Sequence, residues 1–211
     1  MTTTGTSLQD YFDLTGQNHE ELFAGVTNAW EVLPRIAGYL KKNLPKGSLA
    51  KIIGSPVIGE NVFLGEGTVV EPGVYIRGPA WIGKNCEVRH GAYIRENVIT
   101  GDGCVLGNSC EFKNCLLLSG AHVSHFSYVG DSVVGRDVNL GAGVILSNYR
   151  LDGKPIRVHL AGKVYETGLR KFGAMVGDAA SVGCNAVLNP GSLIAKEARI
   201  LPGTIWSGAS R

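Results

Sequence analysis

IGENVF LGEGTV VEPGVY IRGPAW IGKNCE VRHGAY IRENVI TGDGCV LGNSCE FKNCLL is the stretch from Ile58 to Leu117, broken where it repeats. The first position of each hexad reads Ile58, Leu64, Val70, Ile76, Ile82, Val88, Ile94, Thr100, Leu106 and Phe112, nine of ten apolar. Four residues on, a second column reads Val62, Thr68, Val74, Ala80, Cys86, Ala92, Val98, Cys104, Cys110 and Leu116, small or medium residues throughout. Self-similarity at a fixed six-residue period is the signature of a parallel β-helix. The fold class is therefore an all-β solenoid, in which three hexads complete one triangular coil and residues 18 apart stack.

Working outward, the period shortens slightly after Leu118, with inward positions expected at Val123, Val129, Val134, Leu140 and Leu146. It resumes at Val176, Val182, Leu188, Ile194 and Ile200, and ends near Trp206. Between these runs, residues 148–173 read as an extended loop projecting from the solenoid, and long loops in compact domains usually carry function. Residues 1–50 differ in character and read as a short N-terminal helical cap over the first coil, with 51–211 as the β-helix. Asn18 and Glu21 resemble a capping box, and Leu22, Val26, Ala29, Leu33 and Leu40 recur at helical spacing. Pro34 divides that stretch into two helices, because an interior proline removes a hydrogen bond and clashes.

The 211 residues suffice for one sizeable core. Thirty glycines suit a solenoid whose turns recur every few residues. A net charge of +2 with no Lys/Arg run argues against nucleic acid. No apolar run reaches membrane-spanning length and no signal pattern opens the chain, so no membrane partner and a cytoplasmic setting are expected. Of five cysteines, Cys86, Cys104 and Cys110 fall in the small inward column as packing residues. Cys115 and Cys184 fall outside it and read as inert, and no spacing suggests a metal site.

Two features on the outside of the prism carry chemistry. Arg77, Arg95 and Lys113 follow inward aliphatics at intervals of 18 and should form a vertical column of charge. Like charges so stacked repel unless carboxylates or an anion sit among them. Either Glu71 or Glu96 neutralises a solvated corner, or the column binds a phosphate through arginine's planar fork. His125, in Ser124-His125-Phe126-Ser127-Tyr128, sits where the spacing falters. It is either structural or a general base, the work to which imidazole is best matched near neutral pH.

GAYIR (91–95), GNSCEFK (107–113), HFSYVGD (125–131) and VNLGAGVILSNY (138–149) together resemble one family. It is the acetyltransferase domain of the bifunctional N-acetylglucosamine-1-phosphate uridyltransferase/glucosamine-1-phosphate N-acetyltransferases. The resemblance implies a left-handed β-helix and a homotrimer with sites between subunits. It implies His125 as general base, and Arg95, Lys113, Tyr128, Asn139 and Lys154 as residues holding the sugar phosphate. Ala142, Asn148, Tyr149 and Cys184 are implied contacts of acetyl-CoA, the co-substrate, Cys184 standing where the family usually has serine. Backbone N–H groups near Gly141 to Gly143 are a candidate oxyanion stabiliser.

This chain departs from the family in three ways. Residues 1–50 cannot hold the family's nucleotidyltransferase domain, the loop from Arg150 to Lys171 is longer, and the basic C-terminal segment that helps hold CoA phosphates is not seen before Arg211. The expected function is N-acetylation of an amino-sugar phosphate or nucleotide-linked sugar from acyl-CoA, within nucleotide-sugar biosynthesis. The alternative is a non-catalytic trimeric sugar-phosphate-binding scaffold, and a third reading changes the acyl donor or acceptor.

Overall fold

Successive strands are dealt in turn to three parallel sheets. A computed structural model, describing residues 5–209, places eight strands in the first sheet, from Lys51–Ile52 to Arg199–Ile200. The second holds eight, from Val57–Ile58 to Ile205–Trp206, and the third seven, from Val62–Leu64 to Ser192–Ile194. Each strand pairs in parallel with its neighbour one coil away, 18 residues on at Lys51↔Val69, Val57↔Tyr75 and Val62↔Ala80. The result is a left-handed parallel β-helix. Its lumen takes both sequence columns apart from Ile58 and Leu116, and each buried Leu or Ile there contributes about 1.5–3 kcal/mol. The polar exceptions are satisfied: Thr68 Oγ1 donates to Gly83 O at 2.7 Å and accepts from Cys86 N–H at 2.9 Å, and Thr100 Oγ1 accepts from Gly83 N–H at 2.9 Å.

The rhythm loses one residue at two turns. Inward Phe112 is followed five residues later by inward Leu117, and Val129 by Val134. Pairing distance accordingly drops from 18 to 17, as in Val98↔Cys115 and Val105↔His122. The slip puts Cys115, not Leu116, into the lumen, and turns Leu116 to the outer face. Val123 and Val129 keep six-residue spacing, so the period falters on either side of His125 rather than at it.

The outer face of the third sheet carries a second regularity. In register along it stand Phe63, Trp81, Ile99, Leu116, Val133, Met175 and Leu193. An unbroken apolar stripe on an outer face must be covered, because leaving it wet forfeits the burial energy. The N-terminal segment covers it: Leu8, Phe12, Trp30, Leu33 and Leu40 share one buried cluster with Ile99, Leu116 and Val133. The expected lid over the first coil is thus a flank instead. At the first coil the inward positions Ile52 and Ile58 stay 42% and 36% exposed.

Pro34 lies inside a 3-10 helix, Ala29–Arg35, which leads into the α-helix Ile36–Asn43. No capping box forms at Asn18 and Glu21. His19 takes a left-handed φ of 68° there, and the carboxylates that cap are Asp10 over Ser7 and Glu31 over Thr27 and Asn28. The loop leaves after Asn148 and rejoins at Ala174–Val176, carrying an antiparallel hairpin, Arg157–Leu160 with Lys163–Glu166. It folds back rather than projecting. Val158, Leu160 and Phe172 join the flank cluster, and the Trp30 ring lies 6.1 Å from those of Tyr165 and Phe172. Among the described residues no helix is long and apolar enough to cross a membrane.

Candidate active site

His125 ends the strand His122–His125, at the corner between the first and second sheets. The pairings His122↔Asn139 and Asn139↔Ser181 put Ala142 and Cys184 at the same corner, one and two coils on. Backbone bonds tie the column together: Gly143 N–H donates to His125 O at 3.0 Å, and Asn185 N–H to Ala142 O at 2.8 Å. The His125 side chain is exposed, and among the described residues its imidazole takes no hydrogen bond. Gly141 N–H is spent on Val182 O at 2.8 Å and Gly143 N–H on His125 O, so two of the three candidate oxyanion donors serve the coil.

Phe126, beside His125, has φ of 50° and is 61% exposed, with its ring 6.3 Å from the imidazole. Gly91, Ser109, Gly143 and Asn185 take left-handed angles at the equivalent corners. A bulky residue there is strained, and such strain collects at functional sites. Motif and spacing arguments miss Phe126. Its signal is a ring where the other coils carry glycine, serine or asparagine.

The second set lies along the second sheet and on its other edge. Arg77, Arg95 and Lys113 do stack, with Arg77 N–H donating to Ile94 O at 2.8 Å and Arg95 N–H to Phe112 O at 2.9 Å. Carboxylates interleave with them. Glu96 lies 3.6 Å from both Arg77 and Arg95, Arg95 Nη1 donates to Glu111 Oε1 at 2.9 Å, and Lys113 Nζ lies 3.5 Å from Asp131 Oδ2. Glu71 is occupied elsewhere, accepting from His90 N–H at 2.7 Å. The bond to Glu111 holds the Arg95 guanidinium above its ordinary pKa. Its Nε–H is buried without an acceptor among the described residues.

Tyr128 is half-buried on the same sheet, and its hydroxyl accepts from Asn148 Nδ2 at 3.1 Å. Burial, and then the Asp131 charge, push that phenol upward in pKa. Asp131 closes the HFSYVGD motif with no role evident from sequence, yet it is the hub of this edge. Its carboxylate accepts from Asn148 Nδ2 at 2.6 Å and from Asn114 Nδ2 at 2.9 Å, besides Lys113. Asn139 joins neither set within the chain: it is exposed on the first sheet, between His122 and Ser181. Tyr149, 43% exposed, lines a cleft of about 600 Å³ with Arg157, His159 and Asn189. Lys154 is exposed, its backbone N–H donating to Asp152 Oδ1 at 3.2 Å.

Cys86, Cys104, Cys110 and Cys115 are all buried free thiols in the lumen, where burial pushes Cys110 and Cys115 up in pKa. Cys184 alone is exposed.

Residues 76–167 match the family model of the GMPPB C-terminal domain. The bifunctional sugar-1-phosphate nucleotidylyltransferase/acetyltransferase of Sulfurisphaera tokodaii is 35% identical over 155 residues, covering 74% of this chain and 37% of that protein. The bifunctional protein GlmU of Methanococcus vannielii is 31% identical over 187 residues, covering 89% of this chain and 42% of that protein. The chain thus spans about two fifths of the length of these relatives. Among solved structures, the UDP-N-acetylglucosamine acyltransferase of Francisella novicida matches with a TM-score of 0.42 and 20% identity, over 74% of this chain and 60% of that one. The chain is a hexapeptide-repeat β-helix related to the acetyltransferase portion of the bifunctional sugar-1-phosphate nucleotidylyltransferase/acetyltransferases.

Proposed function

We propose that the chain is an acyl-CoA-dependent N-acetyltransferase whose acceptor is an amino-sugar phosphate or nucleotide-linked sugar. The observation that carries this reading is the pairing, on the two edges of one sheet, of an exposed His125 with stacked cations that include an Arg95 Nε–H lacking an acceptor among the described residues. From His125 to Tyr128 the chain spans at most ~11 Å, and to Gly130, the partner of Lys113, at most ~18 Å. Those spans suit an acceptor lying along the sheet, with its phosphate on Arg95 and Lys113 and its amine toward the imidazole. Tyr128 lines the same path. Glu111, on the exposed side of Arg95, would yield its place to the phosphate.

In the reaction His125 accepts a proton from the amine as nitrogen attacks the thioester carbonyl. The C–N bond forms, the C–S bond breaks, and the proton passes on to the departing thiolate. A positioned base contributes about 10²–10⁴-fold. Holding both substrates together supplies much of the remainder. No acyl-enzyme is needed, which suits four buried thiols.

Ala142 and Cys184 stack above His125 on one edge, whereas Asn148 and Tyr149 belong to the other, and Asn139 and Lys154 to neither. A homotrimer, in which the edges of neighbouring copies face each other, suits that division. A cytoplasmic setting, where acyl-CoA is made, suits the donor. Two measurements test the reading: thiol release from acetyl-CoA across a panel of amino-sugar phosphates, and native mass. Acceptor-dependent release by a trimer is expected. Tight sugar-phosphate binding without release from any amine would favour a scaffold, and a monomer at micromolar concentration would remove the intersubunit site.

A further inference from the structure

We propose that Asp131 is the positioning residue of this site, holding the acceptor-side cation and the donor-side amide in one network; the inference rests on the function proposed above. The two shortened turns create its setting. Because each coil there has lost a residue, Asn114, Asp131 and Asn148 fall 17 apart and stack on one corner. Asn114 and Asp131 both take left-handed backbone angles, φ 45° and 46°. Asp131 is 5% exposed, and its backbone is fixed on both sides: its N–H donates to Lys113 O at 2.9 Å, and its carbonyl accepts from Gly173 N–H at 2.8 Å.

A carboxylate so buried is tolerated only when its oxygens are satisfied. Three donors satisfy it: the amides of Asn148 at 2.6 Å and Asn114 at 2.9 Å, and the ammonium of Lys113 at 3.5 Å. Lys113 is the loosest of the three. Its charge is anchored while two of its three N–H donors stay available for a phosphate. Asn148 is pinned differently, its Nδ2 shared between Asp131 and the Tyr128 hydroxyl, which leaves its side-chain carbonyl to serve as an acceptor for the acyl donor of the proposed reaction. Glu111 offers the contrast. Its side chain is 36% exposed and, among the described residues, bonded to Arg95 alone, a place an anion can take.

The test is a double-mutant cycle read by calorimetric binding of glucosamine-1-phosphate and of CoA. Asp131→Asn keeps the shape and removes the charge. Losing a charged hydrogen-bond partner should weaken glucosamine-1-phosphate binding about 10- to 100-fold, and CoA binding in the same direction. In a Lys113→Gln background the same change should weaken glucosamine-1-phosphate binding less than about twofold, since coupled sites are not additive. A merely structural role predicts the full effect in both backgrounds. Asp131→Glu, which keeps the charge but shifts it by one methylene, should also weaken binding and serves if the Asn variant does not fold. Binding by Asp131→Asn within twofold of wild type, or an undiminished effect beside Lys113→Gln, overturns the inference and leaves the proposed function standing. A wild-type protein that binds no glucosamine-1-phosphate overturns both.

Discussion

Gly107 lies in the strand Val105–Asn108, directly beneath Ser124 in the strand His122–His125 of the next coil. A Cβ at this position would overlap the backbone O, C and Cα of Ser124. Backbone atoms held by a parallel ladder cannot swing aside like a side chain. Gly107→Ala therefore belongs at the upper end of over-packing costs, about 3 kcal/mol. For a chain of this size that lowers Tm by about 6–12 °C. Gly103→Ala is the control. Gly103 has φ of 68° and open space around the position a Cβ would take, so only the left-handed backbone penalty applies, about 1 kcal/mol or 2–4 °C. The assay is thermal and urea denaturation of both variants beside wild type, with acyl transfer measured well below either midpoint. Gly107→Ala should also lose activity in the folded state, because relief of the overlap moves His125. A Gly103 variant as damaged as the Gly107 variant would refute the role given to close coil packing.

Three further outcomes follow from the fold and its corners. Leu116→Ala should cost about 2–5 kcal/mol by urea denaturation and expose the N-terminal segment to protease, since Leu116 is fully buried under it. Phe126→Asn should raise stability by about 1 kcal/mol, because Asn accepts the left-handed angle and the exposed ring packs little, while acyl transfer falls. His19 is wedged 4.4 Å from the Trp81 ring, and burial lowers its pKa from 6.5 to about 4. The folded state therefore binds this proton more weakly than the unfolded chain. The His19 contribution is fully present above pH 6.5 and is lost as pH falls toward about 4. A pH series of urea midpoints should show that loss in wild type and less of it in His19→Phe.

The lumen is legible because three hexads place every neighbour one coil away by arithmetic, and Val123, Val129, Val134, Leu140 and Leu146 point inward as the shortened period predicts. What counting cannot see is the missing residue at Lys113–Cys115. A one-residue slip in a strand exchanges inside and outside, so Cys115 and Leu116 trade places. The flank is legible in principle. The residue before every third inward position, from Trp81 to Leu193, is apolar, and such a stripe asks for the helical segment that the N-terminus provides. The stack of Arg77, Arg95 and Lys113 follows from spacing, but its neutralisation by Glu111 and Asp131 needs side-chain geometry. His125, Ala142 and Cys184 share a corner that their numbers alone conceal, because the long loop makes one step 42 residues instead of 17.

Acyl transfer with His125 as the base is the claim on which the rest depends. The most direct measurement is acetyl-CoA thiol release with glucosamine-1-phosphate by wild type and His125→Ala, with glucosamine-1-phosphate binding measured alongside. Turnover in the variant should fall by about 10²–10⁴-fold while the sugar phosphate binds as before. Equal turnover in the two proteins would contradict it.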